Sequence, residues 1–173
     1  MQDVAKFSVS LFQVSGTSDY LSVDLKQSLE LVGRIPPSVC WDYIDKIGKN
    51  PTKEILVLKL WPSNNDEKEN YNSFFQYLNS RDRFGVVGNC NKNVKDCYIM
   101  PLRANQPVPA ALLPLSGRVE RETIPLYVIV NLSHNNQGTI FIVEQIYISY
   151  IRICILNFFH DLVSFYWLVL VHP

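Results

Sequence analysis

Apolar and polar positions along the chain fall into short periodic runs separated by turn residues. Val4 to Val14 alternates loosely and is rich in Val, Phe and Ser, which predicts a first strand. Ser15-Gly16-Thr17-Ser18-Asp19 is a turn cluster. Leu29 to Ile35 is a second extended run and leads into Gly33-Arg34-Ile35-Pro36-Pro37. The residue before a proline is driven out of the α region, and proline suits the first turn of a helix. Ile35 is therefore expected to be extended, with a helix beginning near Pro36 or Pro37, and Arg34 stands at a rigid strand-to-helix corner. In that helix Cys40, Tyr43 or Ile44, and Ile47 share a face, and Gly48 is the expected stop.

Asn50-Pro51-Thr52 turns the chain into the β-favouring run Lys53 to Leu60, which ends before Pro62. A polar loop over Ser63 to Glu69 precedes a second helix, where Tyr71, Phe74, Phe75 and Leu78 form an i, i+3, i+4, i+7 core stripe. Arg83 to Gly88 reads as a strand with glycines at close approaches, and Lys95 to Leu102 as a turn into another strand. Pro101, Pro107, Pro109 and Pro114 mark a long surface crossing, and Ile124 to Leu132 is a strongly apolar last strand. Six or seven strands and two main helices, without regular alternation, predict an α+β domain of β-barrel type rather than a parallel α/β sheet.

Composition divides the 173 residues near position 133. Residues 1–133 carry fifteen Lys/Arg and fourteen Asp/Glu, whereas 134–173 carry only Glu144, Arg152 and Asp161. The boundaries read as a domain over 4–132, a linker at His134-Asn135-Asn136-Gln137-Gly138, and an apolar tail over 133–173. The longest stretch of the tail free of charged residues and histidine, Leu162 to Val171, is shorter than the roughly 20 apolar residues a membrane span takes. A membrane helix, a buried element of the same domain, and a segment foreign to the domain all fit the tail. Its Ile/Phe/Tyr richness and abrupt onset favour the third. The N-terminus, Met1-Gln2-Asp3-Val4-Ala5-Lys6, lacks the apolar run of a secretory signal. The sequon Asn131-Leu132-Ser133 therefore carries little weight.

Overall charge balances, with 16 basic and 16 acidic residues, so no global field holds nucleic acid. Cys40, Cys90, Cys97 and Cys154 form no CxxC pair, and His134, His160 and His172 are far apart, which argues against a zinc site. The cysteines read as small buried hydrophobes. Every histidine lies beyond the folded body, which disfavours Ser-His-Asp catalysis. Asp42 and Asp45 fit a solvated helix face, and no glycine-rich phosphate loop is present. The expectation is a non-enzymatic domain with no cofactor and no metal.

Four ordered blocks carry a specific resemblance: GRIPPSVCWDYIDKI, TKEILVLKL, FFQYLNSRDRFGVV and NVKDCYIMPL. Together with the closing strand IPLYVIVNL, they resemble a SPOC domain over about Val4 to Leu132. The likeness is greatest to the SPOC domains of the PHD finger protein, death-inducer obliterator and SPOC domain-containing protein group of transcription regulators. The resemblance implies a distorted seven-stranded β-barrel flanked by helices, with the tail outside it. It also implies a nuclear reader that binds phosphoserine peptides, notably the C-terminal repeats of the largest RNA polymerase II subunit. No direct contact with nucleic acid or membrane is expected.

Carried over by position, the phosphate-binding residues are Arg34 at the strand-helix corner, Lys53 of the TKE turn, and a second spot made by Arg83 with Lys95. Tyr77 and Tyr98 line the surface between them. Arginine offers phosphate a planar fork of two parallel donors, lysine adds a point charge, and tyrosine an apolar wall with a polar tip. Tyr77 also fits the inward face of its helix, and Tyr98 the core side of its strand. Asp82 replaces a basic residue of the relatives and weakens the local positive field, with Arg81 or Arg83 as potential partners. Phe84 stands where they have tyrosine. The alternative role is a scaffold that binds an unphosphorylated protein and is tethered to a membrane through the tail.

Overall fold

The computed structural model describes residues 6–16, 25–88, 90–103, 106, 107, 109 and 112, with the backbone of 126–132 and 154–155. The elements run β1 (Val9–Ser15), β2 (Glu30–Ile35), α1 (Pro37–Gly48), β3 (Glu54–Pro62), α2 (Lys68–Asn79), β4 (Phe84–Val87), β5 (Val94–Pro101), β6 (Leu126–Leu132) and β7 (Cys154–Ile155). The strands hydrogen-bond in the order β1-β3-β6-β5-β4-β2-β7. Every pairing is antiparallel except that of β7 with β2.

This mixed α/β sheet has a core on each face. Leu56, Leu58 and Leu60 of β3 join Tyr71, Phe74, Phe75 and Leu78 of α2 in one cluster. Val57, one residue out of phase, joins Cys40 and Ile44 of α1, with Phe84 and Met100, in the other. A strand covered on both sides needs apolar residues at consecutive positions, which explains the unbroken run Ile55-Leu56-Val57-Leu58. The α2 stripe is buried as its periodicity predicts, and the Tyr71 hydroxyl donates to the Leu60 carbonyl at 3.1 Å.

β2 passes from one core to the other. Leu31 sits opposite Val87 but Gly33 opposite Val86, so the strand carries a one-residue irregularity. Leu31 therefore packs in the α2 cluster and Ile35 in the α1 cluster, although both positions are odd. Arg34, next to Ile35, projects toward the α2 side. Gly85 lies opposite Arg34, and a Cβ there would stand 2.6 Å from Leu31 Cδ2, so glycine permits the close approach of β2 and β4.

α1 begins as expected: Pro36 is extended (φ −61°, ψ 143°) and Pro37 occupies the first turn. Its end falls at Gly48, the expected stop, but without a left-handed glycine, and Lys49 is still right-handed at φ −85°. Asn50 does the turning: its N–H donates to the Ile47 carbonyl at 2.8 Å, and its Oδ1 accepts from the Thr52 N–H at 3.0 Å.

The expected closed seven-stranded barrel is not formed among the described residues. β1 pairs only with β3, and β2 pairs with β4 and β7, so no rung joins the two ends of the ladder. Side chains bridge the gap instead: Val9 and Leu11 of β1 and Leu29 and Leu31 near β2 share one buried cluster with α2. The seventh strand is two residues of the apolar tail, Cys154–Ile155, in parallel register with Glu30 and Leu31. That piece of the tail lies on the sheet edge rather than outside the domain. The remainder of 133–173, the sequon's Ser133 and most of the proline-marked crossing lie outside the described residues. Among the described residues, no helix is long and apolar enough to cross a membrane.

Candidate functional site

Two cationic spots stand on the surface, each assembled from elements distant in sequence. The first is built on Tyr77, at the exposed flank of the α2 stripe and packed against the core. Arg34 places its guanidinium carbon 5.2 Å from the centre of the Tyr77 ring, and Arg81 places its own at 4.4 Å. Both lie within cation–π range. Arg81 is held further by donating from Nη1 to the Tyr77 carbonyl at 3.2 Å. Neither arginine is ion-paired among the described residues, so most of their donors face solvent.

The chain leaves α2 through a closure that fixes where Arg81 and Arg83 point. The Arg83 N–H reaches back to the Leu78 carbonyl at 3.1 Å and the Asp82 N–H to the Asn79 carbonyl at 3.2 Å. Asp82 between them is left-handed, with φ 49°. This is a Schellman ending, in which the left-handed residue lets the next N–H cap an orphan carbonyl. Aspartate tolerates this conformation better than most side chains. Asp82 therefore shapes the turn rather than pairing with either arginine; Arg83 Nη1 donates to the Asp82 backbone carbonyl at 2.8 Å.

Arg83 does not share a spot with Lys95. It lines a cavity of about 220 Å³ together with Pro37, Trp41, Asn79 and Arg103. Arg103 Nε donates to Asn79 Oδ1 at 2.8 Å, and the Trp41 ring stands edge-on to Phe84 at 5.4 Å. Phe84 is buried in the α1 core, so the missing hydroxyl at this position leaves nothing unpaired.

The second spot joins Lys53 and Lys95. Lys53 precedes β3 and Lys95 follows the first residue of β5, and Glu54 and Val94 both register with Leu132 of β6. Their side chains meet, and the Lys53 ammonium is held below the usual lysine range. The main cause is the hydrogen bond with Lys95, followed by partial desolvation and the Lys95 charge, with Asp96 pulling the other way. Asp96 accepts a hydrogen bond from the Tyr43 hydroxyl, and Tyr43 packs edge-on to Tyr98 at 6.2 Å. The Tyr98 phenol is raised well above its ordinary range by burial and then by Asp96. Tyr98 is thus half-buried, with its ring against the α1 core.

All six residues expected from sequence are described, but they group differently. Arg34 goes with Tyr77, Lys53 with Lys95 near Tyr98, and Arg83 stands apart by the cavity. Arg81 and Arg103 were not among the expected positions. Arg81 was legible as the first arginine of the Ser80-Arg81-Asp82-Arg83 segment, four residues after Tyr77; Arg103 has no local signal. No three His, Cys, Asp or Glu side chains converge among the described residues.

A family model for the SPOC domain matches residues 1–143, most of the chain, so the chain belongs to the SPOC domain family. Human PHD finger protein 3 is 42% identical over 117 residues, 68% of this chain but 6% of that protein. Mouse SPOC domain-containing protein 1 is 32% identical over 119 residues, 68% of this chain and 11% of its own. Transcription factor bye1 of Schizosaccharomyces pombe is 28% identical over 122 residues, with 69% and 17% covered. The chain thus spans a small part of these relatives. The crystal structure of the SPOC domain of human PHD-finger protein 3 superposes with a TM-score of 0.73 at 36% identity, covering 78% of this chain and 92% of that one.

Proposed function

We propose that this domain reads phosphoserine peptides for a transcription regulator, with the phosphorylated C-terminal repeats of RNA polymerase II as the partner and the nucleus as its compartment. One observation carries this reading: four cations on two spots, Arg34 with Arg81 and Lys53 with Lys95, none neutralised by a salt bridge among the described residues. Two ammonium groups held together disfavour each other's charge, and an anion of high charge relieves that conflict. A phosphoserine carries close to two negative charges at neutral pH.

The separation of the spots supports a repeating ligand. Arg34 registers with Gly85 and Gly85 with Ile99, while Lys95 lies four residues back along β5. Two strand spacings and that rise amount to roughly 16 Å between backbones. An extended peptide advances about 3.3 Å per residue, so two phosphates about five to eight residues apart span the spots once side-chain reach is added. One phosphate on each spot makes the second contact intramolecular and multiplies affinity. The family relationship to transcription regulators supports the same reading.

Fluorescence anisotropy decides it. A peptide with two phosphoserines one heptad repeat apart should bind tighter than the singly phosphorylated peptide, and the unphosphorylated peptide should bind least. Equal binding of all three removes the proposal and leaves a protein scaffold indifferent to phosphate.

A further inference from the structure

One pair of reactive groups has no part in the two cationic spots. Cys90, in the turn between β4 and β5, is half-buried against the α2 core, where Cys97 of β5 is also packed. Cys97 stands directly across the sheet from Val87, and the Cys90 thiol reaches the Val87 carbonyl at 3.9 Å. Both cysteines thus converge on Val87, and each thiol shifts the other's titration. The geometry points to Cys90 and Cys97 as an oxidisable dithiol, a modification site that takes a peroxide as its oxidant and closes a disulfide across the β4–β5 turn.

The two thiols are unequal in the way a nucleophile and its resolving partner are. The hydrogen bond from Cys97 lowers the pKa of the Cys90 thiol against the effect of burial, and the same bond raises that of Cys97. Cys90 is also the more open of the two. Redox-sensing cysteines combine thiolate character, access and a neighbouring resolving cysteine. Cys40 provides the contrast: its thiol is pushed up to about 12 by burial and then by Asp96, and it has no sulfur partner among the described residues.

The chemistry balances in two steps. The Cys90 thiolate attacks one peroxide oxygen, the O–O bond breaks, and the leaving hydroxide takes a proton as water, giving a sulfenic acid. The Cys97 sulfur then displaces the sulfenic hydroxyl, which leaves as a second water with the Cys97 proton. Two thiols are oxidised to a disulfide and one hydrogen peroxide is reduced to two waters. The loop closed by this bond contains Lys95 and Asp96, so oxidation tethers the strand segment that carries half of the lysine spot.

The test treats the whole chain with hydrogen peroxide at equal concentration, alkylates remaining thiols, digests with trypsin without reductant and reads the products by mass spectrometry. Cleavage after Lys92 and Lys95 separates the cysteines, so a disulfide appears as a linked pair of peptides lacking two hydrogens. The linked pair should be the first oxidation product and should vanish with dithiothreitol. In Cys97→Ser, Cys90 should stop at a sulfenic acid that dimedone traps. Oxidation at Cys40 or Cys154 before Cys90, or sulfinic acid at Cys90 without linked peptides, overturns the assignment. The wild-type arm needs no variant to fold, and none of the arms depends on phosphopeptide binding.

Discussion

The two cationic spots present the same sign of charge through opposite physics. Arg34 and Arg81 rest on one aromatic ring, and Arg81 is tied to the α2 backbone, so the guanidiniums are held by favourable contacts before any ligand arrives. Lys53 and Lys95 meet in a contact that disfavours charge on Lys53, chiefly through the hydrogen bond between them and then through desolvation and the Lys95 charge. The arginine spot is preorganised and suited to directional hydrogen bonds; the lysine spot is under electrostatic tension that an anion releases. Loss of the first should cost geometry, and loss of the second mainly charge.

The largest expected effect follows from that difference. Arg34→Ala should weaken a doubly phosphorylated peptide by about 1.5–3 kcal/mol, the range for hydrogen bonds to charged groups, and leave the thermal midpoint nearly unchanged. Arg34→Lys should recover little of the loss, because an ammonium lacks the planar fork. Isothermal titration of the three proteins checks this. Full rescue by lysine would show that the spot supplies only charge and would erase the contrast.

That contrast was only partly legible in the sequence, for identifiable reasons. The α2 stripe, the start of α1 at the prolines and the β3 run are set by residues adjacent along the chain, and the structure agrees with them. The irregularity in β2 leaves no unambiguous local mark, yet it turns Arg34 toward Tyr77. Lys53 and Lys95 lie 42 positions apart and meet only because β3 and β5 both register with Leu132. The family resemblance pairs Arg83 with Lys95 position by position; the Schellman ending of α2 aims it at the Trp41 cavity. Positions were readable, while their partners were fixed by register and by a left-handed turn.

A smaller effect belongs to the lysines. Lys53→Met should cost about 0.2–1 kcal/mol of peptide affinity, the usual worth of exposed ion pairs, with a shallower salt dependence than wild type. Its stability should not fall. The folded pKa of Lys53 is lowered, so below that pKa the charged side chain disfavours the folded state, and removing it relieves the conflict. Denaturant melts at neutral pH should therefore give Lys53→Met a midpoint equal to or above wild type. A clear drop would mean that the lysine pair supports the fold and that the tension is absent.

The pH dependence of binding sharpens the same point. Phosphate takes up its second proton near pH 6, so affinity should fall below that value. In the alkaline range, Lys53 loses its proton at a lower pH than an ordinary lysine, because its contact with Lys95 lowers its pKa in the free protein. A bound phosphate favours charged Lys53 and raises that pKa, so binding takes up a proton in the alkaline range and weakens as pH rises. Lys95→Met should move this alkaline limb to higher pH, toward the ordinary lysine range, while Arg34→Ala should lower the plateau without moving it. Anisotropy titrations across pH read both; an alkaline limb unmoved by Lys95→Met would place its origin elsewhere.

The smallest effect tests whether Asp82 limits the arginine spot. Its left-handed φ of 49° caps α2, and its carboxylate stands between Arg81 and Arg83 in sequence. Asp82→Asn keeps a residue that tolerates the left-handed region and removes the negative charge. Stability should stay within ±0.5 kcal/mol, as for ordinary surface changes. Phosphopeptide binding should tighten by a few tenths of a kcal/mol at low salt, and the gain should fade as salt screens it. Asp82→Val keeps the loss of charge but places a β-branched residue at positive φ, so its melting midpoint should fall with the strain. If Asp82→Asn lost stability as Asp82→Val does, the carboxylate itself would be holding the turn, and the positions of Arg81 and Arg83 would rest on a side-chain contact rather than on backbone geometry.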